Sequence, residues 1–389
     1  MARPSGSGRS LTSVRWPLIV SIVSLAAIVF AAVLGLLIES WVPDTPWWRA
    51  AAVAISLALV IGLYFWRDHL ARTGGTLYYV RLLFPSMSDW REQAAADKRR
   101  RMQDVRIIQR WIVAEPADGG LDIADGVADI GAVLEAEMNS DSDSTGFHLA
   151  PNMLFPAALA LGYDMQVRPG FRFDELDSRE DEQRSWLFAP TREEIARGGL
   201  SRTGFDLPGS IRVGEDAGDG PVLMTVSLTQ RPDLSPVNWR IGSHVAVGVF
   251  RDGVALPVEL GDRPRPKDAT RRVHPMDAML VVRKAIRDAI HDHPGRQVLL
   301  NARMSKVTAL GVGWLLGNDA EPPGPQGHPG CGHAGCRQPG CLRPWSVLVP
   351  VLWDQERRGQ SYLAVRAHPA QPPVDEILRR LGLGAVGKG

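Results

Sequence analysis

Cysteine is nearly missing from this chain of 389 residues, which has three. Cys331, Cys336 and Cys341 all fall in one short stretch, so no disulfide framework staples the rest, as suits a reducing compartment. Net charge is missing as well: 44 Lys+Arg against 43 Asp+Glu leave +1, which excludes bulk affinity for DNA or RNA. No H-E-x-x-H, G-x-S-x-G or Walker loop occurs, which removes the commonest hydrolase and NTPase signatures. After residue 66 there is no further long apolar run, so anything that spans a membrane must precede it.

Two charge-free apolar runs stand at the start, at 16–38 and 50–66. At about 1.5 Å per helical residue each is long enough to cross a hydrocarbon core of about 30 Å. Arg3, Arg9 and Arg15 precede the first run, and Arg67, Arg72, Arg81 and Lys98-Arg99-Arg100-Arg101 follow the second. Positive charge at both outer ends predicts a two-span hairpin with N- and C-termini in the cytoplasm of an inner membrane. Trp41, Trp47, Trp48 and Trp66 suit the interfaces. A buried helical hairpin in a soluble protein is the competing reading.

The organisation expected beyond a tail at 1–15 and the spans is a linker at 67–103 and two halves, 104–240 and 241–375, with a tail at 376–389. In the first half Val105–Val113 reads as a strand, Leu121–Met138 as an amphipathic helix, and Gly146–Met165 as a short strand followed by a helix. The order recurs: His244–Phe250 as a strand, Met276–Ile290 as a helix behind Pro275, Gln297–Met304 as a strand and Val307–Leu316 as a helix. Laying Gly146–Gly162 on Gln297–Gly313 without gaps pairs Leu149 with Leu300, Met153 with Met304, Ala158 with Ala309, Leu159 with Leu310, and Gly162 with Gly313. Duplication and chance likeness of two small-residue helices both remain open from the sequence. The fold class is an α/β soluble domain of two pseudo-symmetric, Rossmann-like halves behind an α-helical transmembrane hairpin. Ligands of such sheets bind beyond the carboxyl ends of the strands, here the turns Pro151–Phe155 and Arg303–Val307.

The two copies, HLAPNMLFPAALALG and LLNARMSKVTALGVGWLLG, followed by WSVLVPVLW at Trp345–Trp353, resemble the SAVED domain. That resemblance implies two fused CARF-like halves that bind a cyclic di- or trinucleotide made by a cyclic-oligonucleotide synthase in anti-phage signalling. The two-helix head is similar to the variant in which the effector assembles as a homo-oligomer and disrupts the inner membrane. With the catalytic signatures above missing, no catalysis and no required cofactor are expected.

Such a ligand needs backbone amides, cations and flat surfaces. The candidates are Asn152 in the first half, Arg303, Ser305, Lys306 and Thr308 in the second, and Trp239, Arg240 and Arg251 at loop ends. Each also reads as an ordinary cap or loop residue, and Trp239 equally as a core aromatic. The charged run Arg172–Arg184 reads as a solvated face, or as a surface between subunits.

The insertion 322–344 offers His328, Cys331, His333, Cys336 and Cys341 as ligands for a structural zinc. Its spacing matches no standard zinc module, and a plain surface insertion is the alternative. Asp288, His291, Asp292 and His293 cluster at a helix end, where histidine suits the dipole. The same cluster is the basis for a competing reading, a membrane-bound hydrolase or ring nuclease. A ligand-independent membrane scaffold is the other.

Overall fold

The computed structural model describes residues 75–87, 104–113, 119–141, 146–166, 171–175, 184–187, 205–213, 218–228, 239–252, 254–256, 258–260, 271–318, 343–353 and 362–383, with a few isolated positions elsewhere. Among the described residues no helix is long and apolar enough to cross a membrane. The two N-terminal runs lie, but for three isolated positions, outside the described residues, as do the histidines and cysteines of the insertion.

The first sheet has the order β2 (Asp104–Trp111), β1 (Thr76–Leu83), β4 (Phe147–Met153), β5 (Arg172–Glu175), β6 (Arg184–Leu187). Its first four strands run parallel and β6 runs antiparallel to β5. The second sheet carries the same series as β9 (Ser243–Arg251), β8 (Val222–Ser227), β13 (Val298–Arg303), β14 (Leu348–Trp353), β15 (Tyr362–Arg366). Again four strands are parallel and the fifth, β15, is antiparallel. Beyond this shared series, β3 (Gly120–Asp122) pairs with β15, while β7 (Gly209–Arg212) and β10 (Val254–Leu256) pair with β9. A separate pair, β11 (Val258–Leu260) and β12 (Arg271–Val273), completes the strands.

The helices follow the same duplication. Helix α1 (Ala124–Asn139) precedes β4, and α3 (Pro275–Asp292) precedes β13. Helices α2 (Phe155–Asp164) and α4 (Lys306–Gly317) follow those strands. Strands β4 and β13 start at 147 and 298, and helices α2 and α4 at 155 and 306, both 151 residues apart. The ungapped pairing read from the sequence is therefore the structural one.

Local chemistry explains these elements. In α1 the buried stripe Val127, Ile130, Leu134, Met138 has helical spacing, and Asp122 Oδ1 accepts from Ala124 N at 3.1 Å. Helix α3 starts on Pro275, with His274 Nδ1 accepting from Met276 N at 3.3 Å. Helix α4 is capped by Ser305, whose Oγ accepts from Thr308 N at 3.1 Å. The short α5 (Val374–Arg380) buries Ile377 and Leu378 with Leu223, Leu299 and Val349 on the outer face of the second sheet.

Three expectations need correction. Residues 67–103 are not a plain linker, because β1 lies there, buried at all eight positions between β2 and β4. A strand covered on both faces shows no alternation, and Arg81 inside it looks like linker charge. The second half begins no later than β8 at Val222, and β3 of the first half pairs into the second sheet. The run from Arg172 is not simply a solvated face: its first four residues are β5, with Phe173 and Asp174 both wholly buried. Asp174 is held there by buried His148, whose Nδ1 stands 3.1 Å from Oδ2.

Candidate functional site

The site is set by how α2 meets α4. A Cβ on Gly162 would lie 2.0 Å from the Leu310 carbonyl oxygen, and one on Gly313 would lie 1.9 Å from that of Leu159. Gly162 matches Gly313 and Leu159 matches Leu310 in the duplicated register. The contact is thus reciprocal, as at an interface between two copies related by a two-fold axis. Gly317 repeats it one turn on, against the Tyr163 carbonyl. Only residues without Cβ let two helix backbones approach this closely.

The two helices run side by side in the same direction. Lys306 meets Asn152, Gly313 meets Leu159 and Gly317 meets Tyr163, and each pair is 154 residues apart. With Gly162–Leu310 at 148, the separation stays between 148 and 154 along both helices, as parallel helices give. Both amino ends therefore lie at one place, together with the carboxyl ends of β4 and β13. Parallel dipoles add there, and the Glu175 carboxylate already takes the Val307 amide of α4.

Lys306 Nζ donates to Asn152 Oδ1 across the lobes at 2.6 Å, and Asn152 Nδ2 donates to the Tyr79 hydroxyl at 2.7 Å. Tyr79 in turn donates to Asp89 at 2.7 Å, and Asp89 forms an ion pair with buried Arg81. Val307 N, in the first turn of α4, donates to Glu175 Oε2 at 3.3 Å. Helix α2 has no such side-chain cap at Leu154.

The expected residues divide. Lys306 and Ser305 stand half-buried at the start of α4, and half-buried Arg303 ends β13 beside them. The Arg303 side chain has no partner among the described residues. Exposed Arg251 ends β9 on the same edge of the sheet. Asn152 is 1% exposed and serves to hold Lys306. Thr308 is wholly buried in the first turn of α4, where its backbone N–H donates to the capping Ser305 and its hydroxyl stands 3.0 Å from that of Ser305, so it has no surface to offer. Trp239 and Arg240 precede β9, at the amino ends of the strands and so across the sheet from Arg303. Trp239 packs there against the cluster around Leu223 and Leu299.

No family model matches the sequence, and no curated protein matches it. Among solved structures, the chain is similar to the Acinetobacter baumannii Cap4 SAVED/CARF-domain containing receptor. With that receptor's complex with the cyclic trinucleotide 2'3'3'-cAAA the identity is 9% and the TM-score 0.37, over 74% of this chain and 50% of that one. With its 3'3'3'-cAAA complex they are 10% and 0.33, over 61% of this chain and 41% of that one. The chain thus spans half or less of those receptors' length. The superpositions are loose, and the functional reading rests on this chain's own geometry.

Sequence reasoning missed Tyr79, Arg81, Asp89 and Glu175. The first three sat in or beside the supposed linker, and Glu175 sat in the charged run. Hydrogen-bonding residues inside an apolar run such as TLYYVRLL are the signal that was available. At the other end of α3, Asp288 pairs with Lys284 at 2.5 Å and His293 Nδ1 faces Arg296 Nη1 at 3.2 Å. Among the described residues no group of three or more His, Cys, Asp or Glu is placed to hold a metal.

Proposed function

We propose that this chain is a membrane-tethered, non-enzymatic sensor whose twin-lobed, SAVED-like domain binds a cyclic di- or trinucleotide. The observation that carries this reading is the reciprocal packing of α2 on α4, which brings two strand–helix turns to one crevice. A ring of several phosphates suits paired helix amino ends, with Arg303 and Lys306 supplying cations and Ser305 a hydroxyl. A ligand that contacts both lobes favours whichever arrangement of lobes and neighbouring chains completes its site. The two N-terminal runs anchor the sensor in the inner membrane. Ligand-driven homo-oligomers gather the hairpins into patches that compromise the bilayer during anti-phage defence, downstream of a cyclic-oligonucleotide synthase. A zinc ion held by the 328–341 insertion would be structural, and no step depends on it.

Calorimetry with cyclic di- and trinucleotides tests the sensing step. Micromolar or tighter binding, lost in the Arg303→Ala, Lys306→Ala double variant, is expected; no binding to any of them refutes it. Dye release from liposomes carrying the full chain tests the output. Leakage is expected only with ligand and is absent without residues 1–70.

A further inference from the structure

We propose that Trp111 is a stacking platform for one purine of the ligand, backed by the guanidinium of Arg81. This rests on the cyclic-oligonucleotide reading above and assigns one base of that ligand to a surface outside the phosphate-binding turns.

Trp111 ends β2, at the carboxyl edge of the first sheet, and is 41% exposed. Its indole therefore offers a flat, partly open surface at the carboxyl edge of the sheet. Its ring is not loose, because the Arg81 guanidinium carbon lies 3.9 Å from the ring centroid. Arg81 is 4% exposed and is fixed in turn by Asp89. One ring face is thus held by a buried cation, which leaves the solvent side for a base.

The platform also belongs to the same edge as the phosphate-binding residues. Arg81 pairs in register with Asn152 on the neighbouring strand, and Asn152 holds Lys306. From β2 to β4 is two strand spacings, about 10 Å, within the span from a phosphate to the far edge of its own purine. The second lobe has a counterpart aromatic without the backing cation, since Ser227 stands where the first sheet has Arg81. Arg303 pairs with Ser227 as Asn152 pairs with Arg81, and the β8–β9 register then puts Phe250 where the first sheet has Trp111. An aromatic at the matching place in each lobe suits a ligand with a base on either side of its phosphate ring.

The test is calorimetric titration of the full chain with cyclic triadenylate and cyclic triuridylate at two salt concentrations. Trp111→Ala is expected to weaken the adenylate about 5- to 100-fold and the uridylate less, with the salt dependence unchanged. Trp111→Phe keeps the stack and stays within about threefold of the parent. Lys306→Ala is expected to reduce the salt slope. If Trp111→Ala binds as the parent does while the Arg303→Ala, Lys306→Ala variant does not, the platform is refuted and sensing stands. Equal losses in Trp111→Ala and Trp111→Phe for both ligands assign the residue to folding and refute stacking. No binding by the parent chain refutes both.

Discussion

Replacing Gly162 with alanine puts a methyl carbon 2.0 Å from the Leu310 carbonyl oxygen. Ordinary contact between such atoms begins near 3.4 Å, so α2 and α4 must part by about 1.4 Å. The obstacle is backbone on a packed helix, and no rotamer change relieves it. Overpacking of this kind costs about 1–3 kcal/mol, and parting the helices also forfeits dispersion along their shared length. We expect a loss of about 2–4 kcal/mol for Gly162→Ala and a similar loss for its counterpart Gly313→Ala. The double variant should lose less than the sum, because the gap opened by the first methyl accommodates the second. Gly126→Ala on α1 is the control: its Cβ would meet only Leu82 Cδ1, at 3.8 Å, so helix propensity should raise stability by up to about 1 kcal/mol. Urea denaturation of the full chain, followed by tryptophan fluorescence, reads all four. A Gly162→Ala midpoint equal to the parent's would refute the close crossing, and with it the shared crevice.

Asp174→Ala strands the His148 ring inside the first sheet and should cost about 2–3 kcal/mol in the same assay. Ser305→Ala removes the cap of α4 and should cost about 1 kcal/mol, while loosening the first turn that we assign to phosphate binding. Burial lowers the pKa of His244, which sits against Thr225 at 3.0 Å. The unfolded chain then takes up this proton more readily than the folded one. Its contribution is complete above about pH 6.5 and is lost as pH falls through the lower folded value, so His244→Gln should flatten the acid limb of a stability–pH curve.

Much of the twin-lobed fold was legible because its central units are local. Strand β4 with α2, and β13 with α4, are each one apolar run with a small-residue helix behind it, and their shared register survived without gaps. Gly162 and Gly313 looked like mere small residues in sequence, yet they mark the axis between the lobes. Strand β1 was hidden because burial on both faces erases alternation, and because Arg81 suggested a solvated segment. The neighbourhood of Arg303, Ser305 and Lys306 was legible because all three lie on one local strand–turn–helix unit. Where strand direction decides, the sequence left both ends open: Trp239-Arg240 and Arg251 flank the same strand, and only the parallel pairing of β8 with β9 puts Arg251 on the edge of Arg303 and Trp239-Arg240 at the other end. Tyr79, Arg81 and Asp89 join the site through contacts between strands far apart in sequence, which no local pattern encodes.

If two lobes make one site for one ligand, calorimetric stoichiometry with a cyclic trinucleotide will show it. A single ligand per chain is expected, with Arg303→Ala from one lobe and Trp111→Ala from the other weakening that same binding event. Two independent ligands per chain, or no heat of binding at all, would contradict it.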